Sequence, residues 1–270
     1  MIRLRTLAAL AAGSWLADTA VLAPRRFRLF EQPLSIPGWP AELDGLRVAL
    51  VGDVHAGAPW MDLARVRRIV DAVVDARPDL VLLLGDHVAD VSFGRHLEPG
   101  PVAHALAGLL RADAPVVGVL GNHDWYAGGW RVRTALKEVG LPTLENEAVP
   151  VLDGRLWVAG VADLWERSPS VPLALSGVPA GAPVLLMTHN PDVVVDVPAH
   201  VALVVAGHTH GGQVAFGGRP LHALSERTGN RWTRGWYPGD RLFVTAGVGS
   251  SLVPLRSVTP EVPVLVVSAP

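Results

Sequence analysis

Five short apolar runs in this chain each end in residues able to hold a cation or move a proton. Val48–Val51 leads into Gly52-Asp53-Val54-His55, and Leu80–Leu84 into Gly85-Asp86-His87. Val116–Leu120 leads into Gly121-Asn122-His123-Asp124, Val184–Met187 into Thr188-His189-Asn190, and Val201–Ala206 into Gly207-His208-Thr209-His210-Gly211-Gly212-Gln213. Asp53, His55, Asp86, Asn122, His189, His208 and His210 together offer oxygen and imidazole donors without sulfur. That set suits Mn, Fe, Zn, Co or Ni better than a thiolate-type site. These donors outnumber the needs of one ion, whereas two ions about 3.5–4 Å apart and sharing a carboxylate would use them all. Taken singly, an Asp after a strand is more often a turn or helix cap, and a buried His a hydrogen-bonded core residue. Taken as an ordered set, they point to a metal centre.

The elements that must position these residues are legible in the same pattern. Further runs at Leu156–Val161, Leu242–Ala246 and Val264–Val267 share the short, Val- and Leu-rich character of strands buried on both faces. Val66, Ile69, Val70, Val73 and Val74 follow helical spacing and stop at Arg77-Pro78; residues 102–111 and 130–139 are further expected helices. Strands alternating with helices predict an α/β domain. In an open α/β sheet the ligand crevice lies beyond the carboxyl ends of the strands, so residues from Asp53 to His210 are expected to converge there. The glycines before most of them allow a sharp exit from the strand.

The chain has 270 residues, half of them hydrophobic and 18% charged, with no cysteine. That supplies a core, and it excludes disulfides and thiolate ligands. A net charge of −2 gives no general basic face, so no specific nucleic acid is expected as a partner. Charge is nevertheless uneven. Residues 1–30 carry Arg3, Arg5, Arg25, Arg26 and Arg28 against Asp18, a surplus of four positive charges, which leaves −6 for the remainder. Leu7 to Ala23 between these arginines is apolar but short of the ~20 residues that span a bilayer. It is read as a membrane anchor or interfacial helix drawn to anionic headgroups, with a signal peptide or an ordinary core helix as alternatives. The expected localisation is at a membrane, on a side the sequence does not assign, with a soluble cytoplasmic protein as the alternative. The expected divisions are this segment at 1–30, a Pro-rich connector at 31–45, and one domain at 46–270.

The combination Asp53-x-His55, Gly85-Asp86, Gly121-Asn122-His123-Asp124, His189 and Gly207-His208-Thr209-His210 resembles the motif set of calcineurin-like metallophosphoesterases, over about residues 46–265. The Gly-His-Thr-His-Gly-Gly-Gln ending and the tail from Gly247 to Arg256, followed by Pro260-Glu261, resemble the bacterial, membrane-associated branch. Some relatives there hydrolyse the pyrophosphate of UDP-diacylglucosamine and others are phosphodiesterases. The resemblance implies a four-layer αββα sandwich with an N-terminal apolar helix. It implies two divalent metal ions, Mn foremost, with Asp53, His55 and His210 on the first, Asn122, His189 and His208 on the second, and Asp86 bridging. It leaves His123 free to face the substrate, with Asp124 as its orienting partner. Asp86 is followed by His87 where relatives often carry an apolar or aromatic residue, so His87 either touches the site or is a neighbouring polar contact. The segment Leu221–Asp240 is individual to this chain; its Arg227, Arg231, Arg234, Trp232, Trp236 and Tyr237 resemble a substrate-side loop.

The implied chemistry is hydrolysis of a phosphoester or pyrophosphate. A metal-bridging hydroxide attacks phosphorus in line, and His123 acts as the acid on the departing oxygen, its protonated form favoured by Asp124. Arg234, Tyr237 and Arg256 are candidate substrate contacts, with packing and salt-bridge roles as the alternatives. The expected partner is a phosphate-containing small molecule or lipid, and an amphiphilic phosphate suits the basic, apolar N-terminus. Other chemistries fit less well: there is no Gly-x-Gly-x-x-Gly after the first run, no P-loop, no Gly-x-Ser-x-Gly and no His-Glu-x-x-His. The alternative from another class is a metal-binding scaffold of the same fold without significant catalysis.

Overall fold

The computed structural model describes every residue except Met1, Val91, Gly217, Gly218, 222–230 and Leu252; Arg227 lies outside the described residues. Helix α1 (Ile2–Ala17) opens the chain, and strand β1 (Arg28–Ser35) follows. Next come β2 (Leu46–Val51), α2 (Leu63–Asp75), β3 (Leu80–Leu84), α3 (Pro99–Leu106), β4 (Val116–Val119), α4 (Asn122–Tyr126) and α5 (Gly129–Glu138). The second half holds β5 (Glu147–Val151), β6 (Leu156–Gly160), α6 (Val171–Leu175), β7 (Val184–Thr188) and β8 (Leu203–Ala206). A short hairpin of β9 (Ala215–Phe216) and β10 (Arg219–Pro220) precedes β11 (Gly235–Tyr237), β12 (Leu242–Val244) and β13 (Glu261–Ser268).

Two sheets stack face to face. One has the order β1-β13-β2-β3-β4, the other β11-β12-β8-β7-β6-β5. Strands β2, β3 and β4 run parallel, as do β6, β7, β8 and β12, so the carboxyl ends carrying the candidate ligands gather along one edge of each sheet. The alternation of side chains makes the layers. Val48 and Leu50 on β2, and Leu80, Leu82 and Leu84 on β3, meet Leu185, Met187, Leu203 and Val205 between the sheets. Ala49, Val51, Val81 and Leu83 point the other way, onto α2, α3 and α5. Val184, Leu186, Val204 and Val244 are covered on the far side by α6, by the turn around Val193 and by Trp232. Burial on both faces is why the strands read as unbroken apolar runs. The expected αββα layering is observed, although the second helical layer is thin.

The helices follow their sequence signals. Val66, Ile69, Val70 and Val73 bury one face of α2, and the Asp62 carboxylate caps its start by accepting the Arg65 N–H at 2.7 Å. The expected helix at 102–111 is split: α3 ends at Leu106 and a tighter 3₁₀ stretch carries the chain on to Ala112.

Two expectations for the N-terminus need correction. The proline-rich stretch read as a connector at 31–45 begins within β1, which starts at Arg28 and pairs in parallel with β13 from Arg28↔Glu261 to Ser35↔Ser268. Pro33 is tolerated because β1 is an edge strand with one face of its hydrogen-bonding groups unpaired. The alternative of an ordinary core helix also fails, since Leu10 and Leu16 on α1 are 66% and 51% exposed. No helix among the described residues is long and apolar enough to cross a membrane.

Leu82 is fully buried between the sheets. Replacing it with Ala is expected to cost about 2–5 kcal/mol, read as a lowered midpoint in chemical denaturation.

Candidate metal centre

Each candidate ligand is delivered by a strand that stops abruptly. Asp53 and His55 follow β2, Asp86 follows β3, Asn122 begins α4 just after β4, His189 follows β7, and His208 and His210 follow β8. The backbone at Asp53, His55, Asp86, His208 and His210 is left-handed, with φ of 51°, 45°, 54°, 70° and 50°. Non-glycine residues pay a strain of about 1–3 kcal/mol for such conformations and keep them only where surrounding bonds fix them. Here they are fixed by Asp53 N–H to Gly85 O at 3.0 Å, His55 N–H to Asp86 O at 2.8 Å, and Gly207 N–H to His189 O at 3.0 Å. The strain turns each side chain away from its strand and into the seam between the sheets. Space there is tight: a Cβ added at Gly207 would lie 2.6 Å from Asp53 Oδ2, and one at Gly121 would collide with Asp86 and His189.

The donors form two groups that share one carboxylate. Atoms of Asp53, His55, Asp86 and His210 lie within 4.8 Å of one another, as do atoms of Asp86, His189 and His208. Asp86 Oδ2 is 3.3 Å from His55 Nε2 and 3.2 Å from His189 Nε2. In the first group His55 Nε2 and His210 Nε2 are 3.1 Å apart, and His210 Nε2 is 3.4 Å from Asp53 Oδ1. In the second, His189 Nε2 is 3.2 Å from both Asn122 Oδ1 and His208 Nδ1. Ligands held about 2.1 Å from one cation in tetrahedral or octahedral array stand about 3.0–3.4 Å from each other, so the donor set fits two divalent ions. Two of the outward nitrogens are oriented as metal-bound imidazoles require: His189 Nδ1 meets Leu84 O at 2.7 Å and His210 Nδ1 meets Gly249 O at 3.3 Å.

The charges carry the same signature. Burial, with the nearby Asp86 charge, pushes the Asp53 carboxyl up to about 7. Burial acts on Asp86 too, but His189 and His55 outweigh it and hold that carboxyl well below the usual range. Burial would lower His189, yet Asp86 and Asp53 raise it to about 10. Burial, the neighbouring His55 and Arg256 hold His210 well below the usual imidazole value, in the neutral form a cation needs. Two buried carboxylates so close together require compensating positive charge, from protons or from cations.

His123 stands beside the donors. Its ring lies edge-on to His55 with centroids 4.8 Å apart, its Nδ1 is 3.1 Å from Asp90 O, and its Nε2 is 2.9 Å from Ser251 Oγ. Its backbone N–H donates to Asp86 Oδ1 at 2.8 Å. Burial lowers the His123 imidazole from its ordinary value. The expected orienting role of Asp124 is not observed. Its carboxylate accepts the backbone N–H groups of His87 at 2.8 Å, Val88 at 3.1 Å and Gly121 at 3.0 Å. As the third residue of α4, Asp124 reaches back to the start of its own helix and ties the β3 and β4 exits together. Asp90 and Ser251 hold the His123 ring instead. His87 is a neighbouring contact, fully buried with Nε2 3.2 Å from Val119 O.

The three candidate substrate residues also have structural work. Arg234 pairs with Glu261 through Nε at 2.9 Å and through a second short contact. The Tyr237 hydroxyl accepts the N–H of Thr233 at 2.9 Å and of Arg234 at 3.3 Å. Arg256 is fully buried, with its guanidinium on backbone carbonyls. Trp232, from the same loop, is buried and donates to Asp240 Oδ2 at 2.7 Å.

Besides Asp90 and Ser251, two aromatic residues beside the donors were missed from the sequence. Trp165 stands edge-on to His208 at 4.4 Å between centroids, and Tyr126 edge-on to His123 at 5.4 Å. They are 39% and 47% exposed. The Trp165 loop is braced by Asp163 Oδ1, which accepts the N–H groups of Trp165 at 3.0 Å and Glu166 at 2.8 Å. Asp163 follows the run Leu156–Val161, so the strand-end signal applied here too, although this Asp caps a loop.

Gly207→Ala would drive a methyl against the Asp53 carboxylate. Titration with Mn²⁺ is expected to show fewer than two ions bound, whereas unchanged stoichiometry and affinity would remove the steric argument.

A calcineurin-like phosphoesterase family model matches residues 46–212. The chain is 31% identical over 230 residues to an uncharacterized metallophosphoesterase of Aquifex aeolicus, covering 82% of this chain and 84% of the relative. It is 29% identical over 231 residues to phosphodiesterase YaeI of Escherichia coli, covering 81% of each. It is 29% identical over 248 residues to a transmembrane protein with metallophosphoesterase domain of Danio rerio; there the match covers 80% of this chain but only 52% of the relative, about half its length. The two-sheet α/β fold, the paired Asp and His clusters and the family match agree: the chain belongs to the calcineurin-like phosphoesterases and is a metal-dependent phosphoesterase.

Proposed function

We propose that this protein hydrolyses a phosphoester or pyrophosphate bond with two divalent cations, one held by Asp53, His55 and His210, the other by Asn122, His189 and His208, with Asp86 shared. The observation that carries this is the pair of donor clusters meeting at one buried carboxylate. The oxygen and imidazole donors favour manganese or another borderline ion. When bound, such cations neutralise phosphoryl oxygens and make water acidic enough to attack near neutral pH.

The protein's own groups divide the remaining work. His123 is held by its backbone bond to Asp86 and by Asp90 and Ser251, so its ring is aimed without being needed as a ligand. With Nδ1–H on the Asp90 carbonyl, the protonated ring donates from Nε2 to the departing oxygen, and burial, which lowers the imidazole from its ordinary value, makes that proton easier to give up. The strained exits of β2, β3 and β8 fix Asp53, His55, Asp86, His208 and His210, so little reorganisation of these donors accompanies the reaction. Trp165 and Tyr126 stand beside the donors and offer apolar surface to the part of the substrate that is not phosphate.

An amphiphilic phosphate is the proposed substrate. Outside the donor clusters, residues 57–64 with Gly94, Arg95 and Leu97 border a cleft of about 610 Å³ whose Trp60, Met61, Leu63, Leu97 and Arg95 join apolar and cationic surface. Leu16, Val21, Leu22 and Trp60 expose apolar surface beside Arg25 and Arg26, a composition suited to an anionic lipid interface rather than to a span.

Mn²⁺-dependent product release from p-nitrophenyl esters, nucleotide diesters and a lipid-linked pyrophosphate tests the reaction. No metal-dependent product from any of them contradicts it. His123→Ala is expected to keep both metals and lose about 10²–10⁴-fold in turnover. Near wild-type activity would take His123 out of the chemistry. Asp86→Ala is expected to lose at least one metal by elemental analysis. In detergent-free fractionation the intact chain is expected with the membranes; complete recovery in the soluble fraction would sink the interfacial role.

A further inference from the structure

Arg256 has a more specific role than burial alone suggests. Its guanidinium donates to Ala246 O at 2.6 Å, Gly247 O at 2.9 Å and Val258 O at 2.8 Å, and makes a further short contact with Gly249 O. The Gly249 carbonyl is also the partner of His210 Nδ1 at 3.3 Å, and Arg256 Nη1 itself lies 3.2 Å from that nitrogen. The loop it grips packs on the first donor group: Gly249 N–H donates to Asp53 O at 2.7 Å, and a Cβ on Gly247 would sit 2.5 Å from the Asp53 Cβ. A planar guanidinium with five fixed donors holds such carbonyls in one arrangement.

Arg256 is tied in turn to the N-terminus. Its backbone N–H donates to Thr19 O at 2.9 Å, and Thr19, Ala23 and Pro24 are buried. The segment 18–26 is clasped from α2 by Arg65, which donates to Pro24 O at 2.9 Å, Arg25 O at 2.7 Å and Arg26 O at 2.8 Å. Trp60 adds a bond from Nε1 to Ala20 O at 3.2 Å, and the Arg25 guanidinium lies 3.8 Å over the Trp60 ring. A continuous set of bonds thus runs from Arg65 through residues 18–26 and Arg256 to the carbonyl that orients His210.

We infer that Arg256 is a positioning residue for His210, and that the segment 18–26, clasped by Arg65, holds Arg256 in place and so supports the Asp53–His55–His210 metal half-site. The inference rests on the two-metal reading above. It makes the segment 18–26 part of the scaffold of that half-site.

The test is calorimetric titration of Mn²⁺ into the full metal-free chain, with hydrogen exchange followed over residues 18–26. Wild type is expected to bind two ions. Arg65→Met is expected to raise exchange in 18–26 and to weaken one of the two binding events about 10-fold, leaving the other unchanged. That is the lower end of what loss of an outer partner costs a metal site. Trp60→Ala, at a partly exposed position, should move the same event in the same direction. Arg256→Lys should weaken that event further. Both events unchanged in Arg65→Met and Trp60→Ala would overturn the inference, and so would both falling together with the melting temperature, the mark of a merely structural role. A wild-type chain that binds no Mn²⁺ overturns the two-metal reading itself and the inference with it.

Discussion

The structure depends on the burial of two carboxylates, Asp53 and Asp86, among histidines at the seam between the sheets. Their relative exposures are 0% and 1%, so solvent cannot screen their repulsion. Positive charge must stand beside them, and His189, raised by both carboxylates, supplies it while His210 stays neutral. It also explains the split between the carboxyls, one pushed up and the other held down. Protons satisfy the charge in the protein alone, and divalent cations satisfy it better, since each can meet several donors at once.

The fold is arranged to maintain that constraint. Parallel strands at the centre of each sheet bring their carboxyl ends to the same edge, and the strained left-handed residues turn the ligands inward. Gly121 and Gly207 are small because a methyl group would occupy the space of a carboxylate oxygen. Asp124 ties the β3 and β4 exits together, while Arg256 grips the β12–β13 loop behind Asp53 and His210. These polar residues contribute rigidity at the site; the apolar core between the sheets contributes the stability that offsets the strain.

The donors were legible in the sequence because each follows a strand too apolar to be anything but buried. A polar residue at that point has few reasons to be there besides a turn or a ligand. The layering was legible for the same reason, as unbroken Val and Leu runs imply cover on both faces. The roles of Asp124, Arg234, Tyr237 and Arg256 were not. Each depends on which groups the folded chain sets opposite: Asp124 meets the backbone of residues 87 and 88, Arg234 the Glu261 carboxylate, Tyr237 the backbone of 233 and 234, and Arg256 the carbonyls of the loop folded around it. β1 was hidden by Pro33, which an edge strand tolerates and a central strand does not, and by the prolines that follow it. Trp165 and Tyr126 carried no local signal, since a single exposed aromatic residue, on a loop or at the end of a one-turn helix, has no spacing rule.

The sharing of Asp86 is the central claim, and anomalous X-ray diffraction at the manganese edge, on crystals grown with Mn²⁺, tests it most directly. The account predicts two peaks about 3.5–4 Å apart, one on each side of the Asp86 carboxylate. A single peak, or two peaks of which only one lies within bonding distance of Asp86, would contradict it.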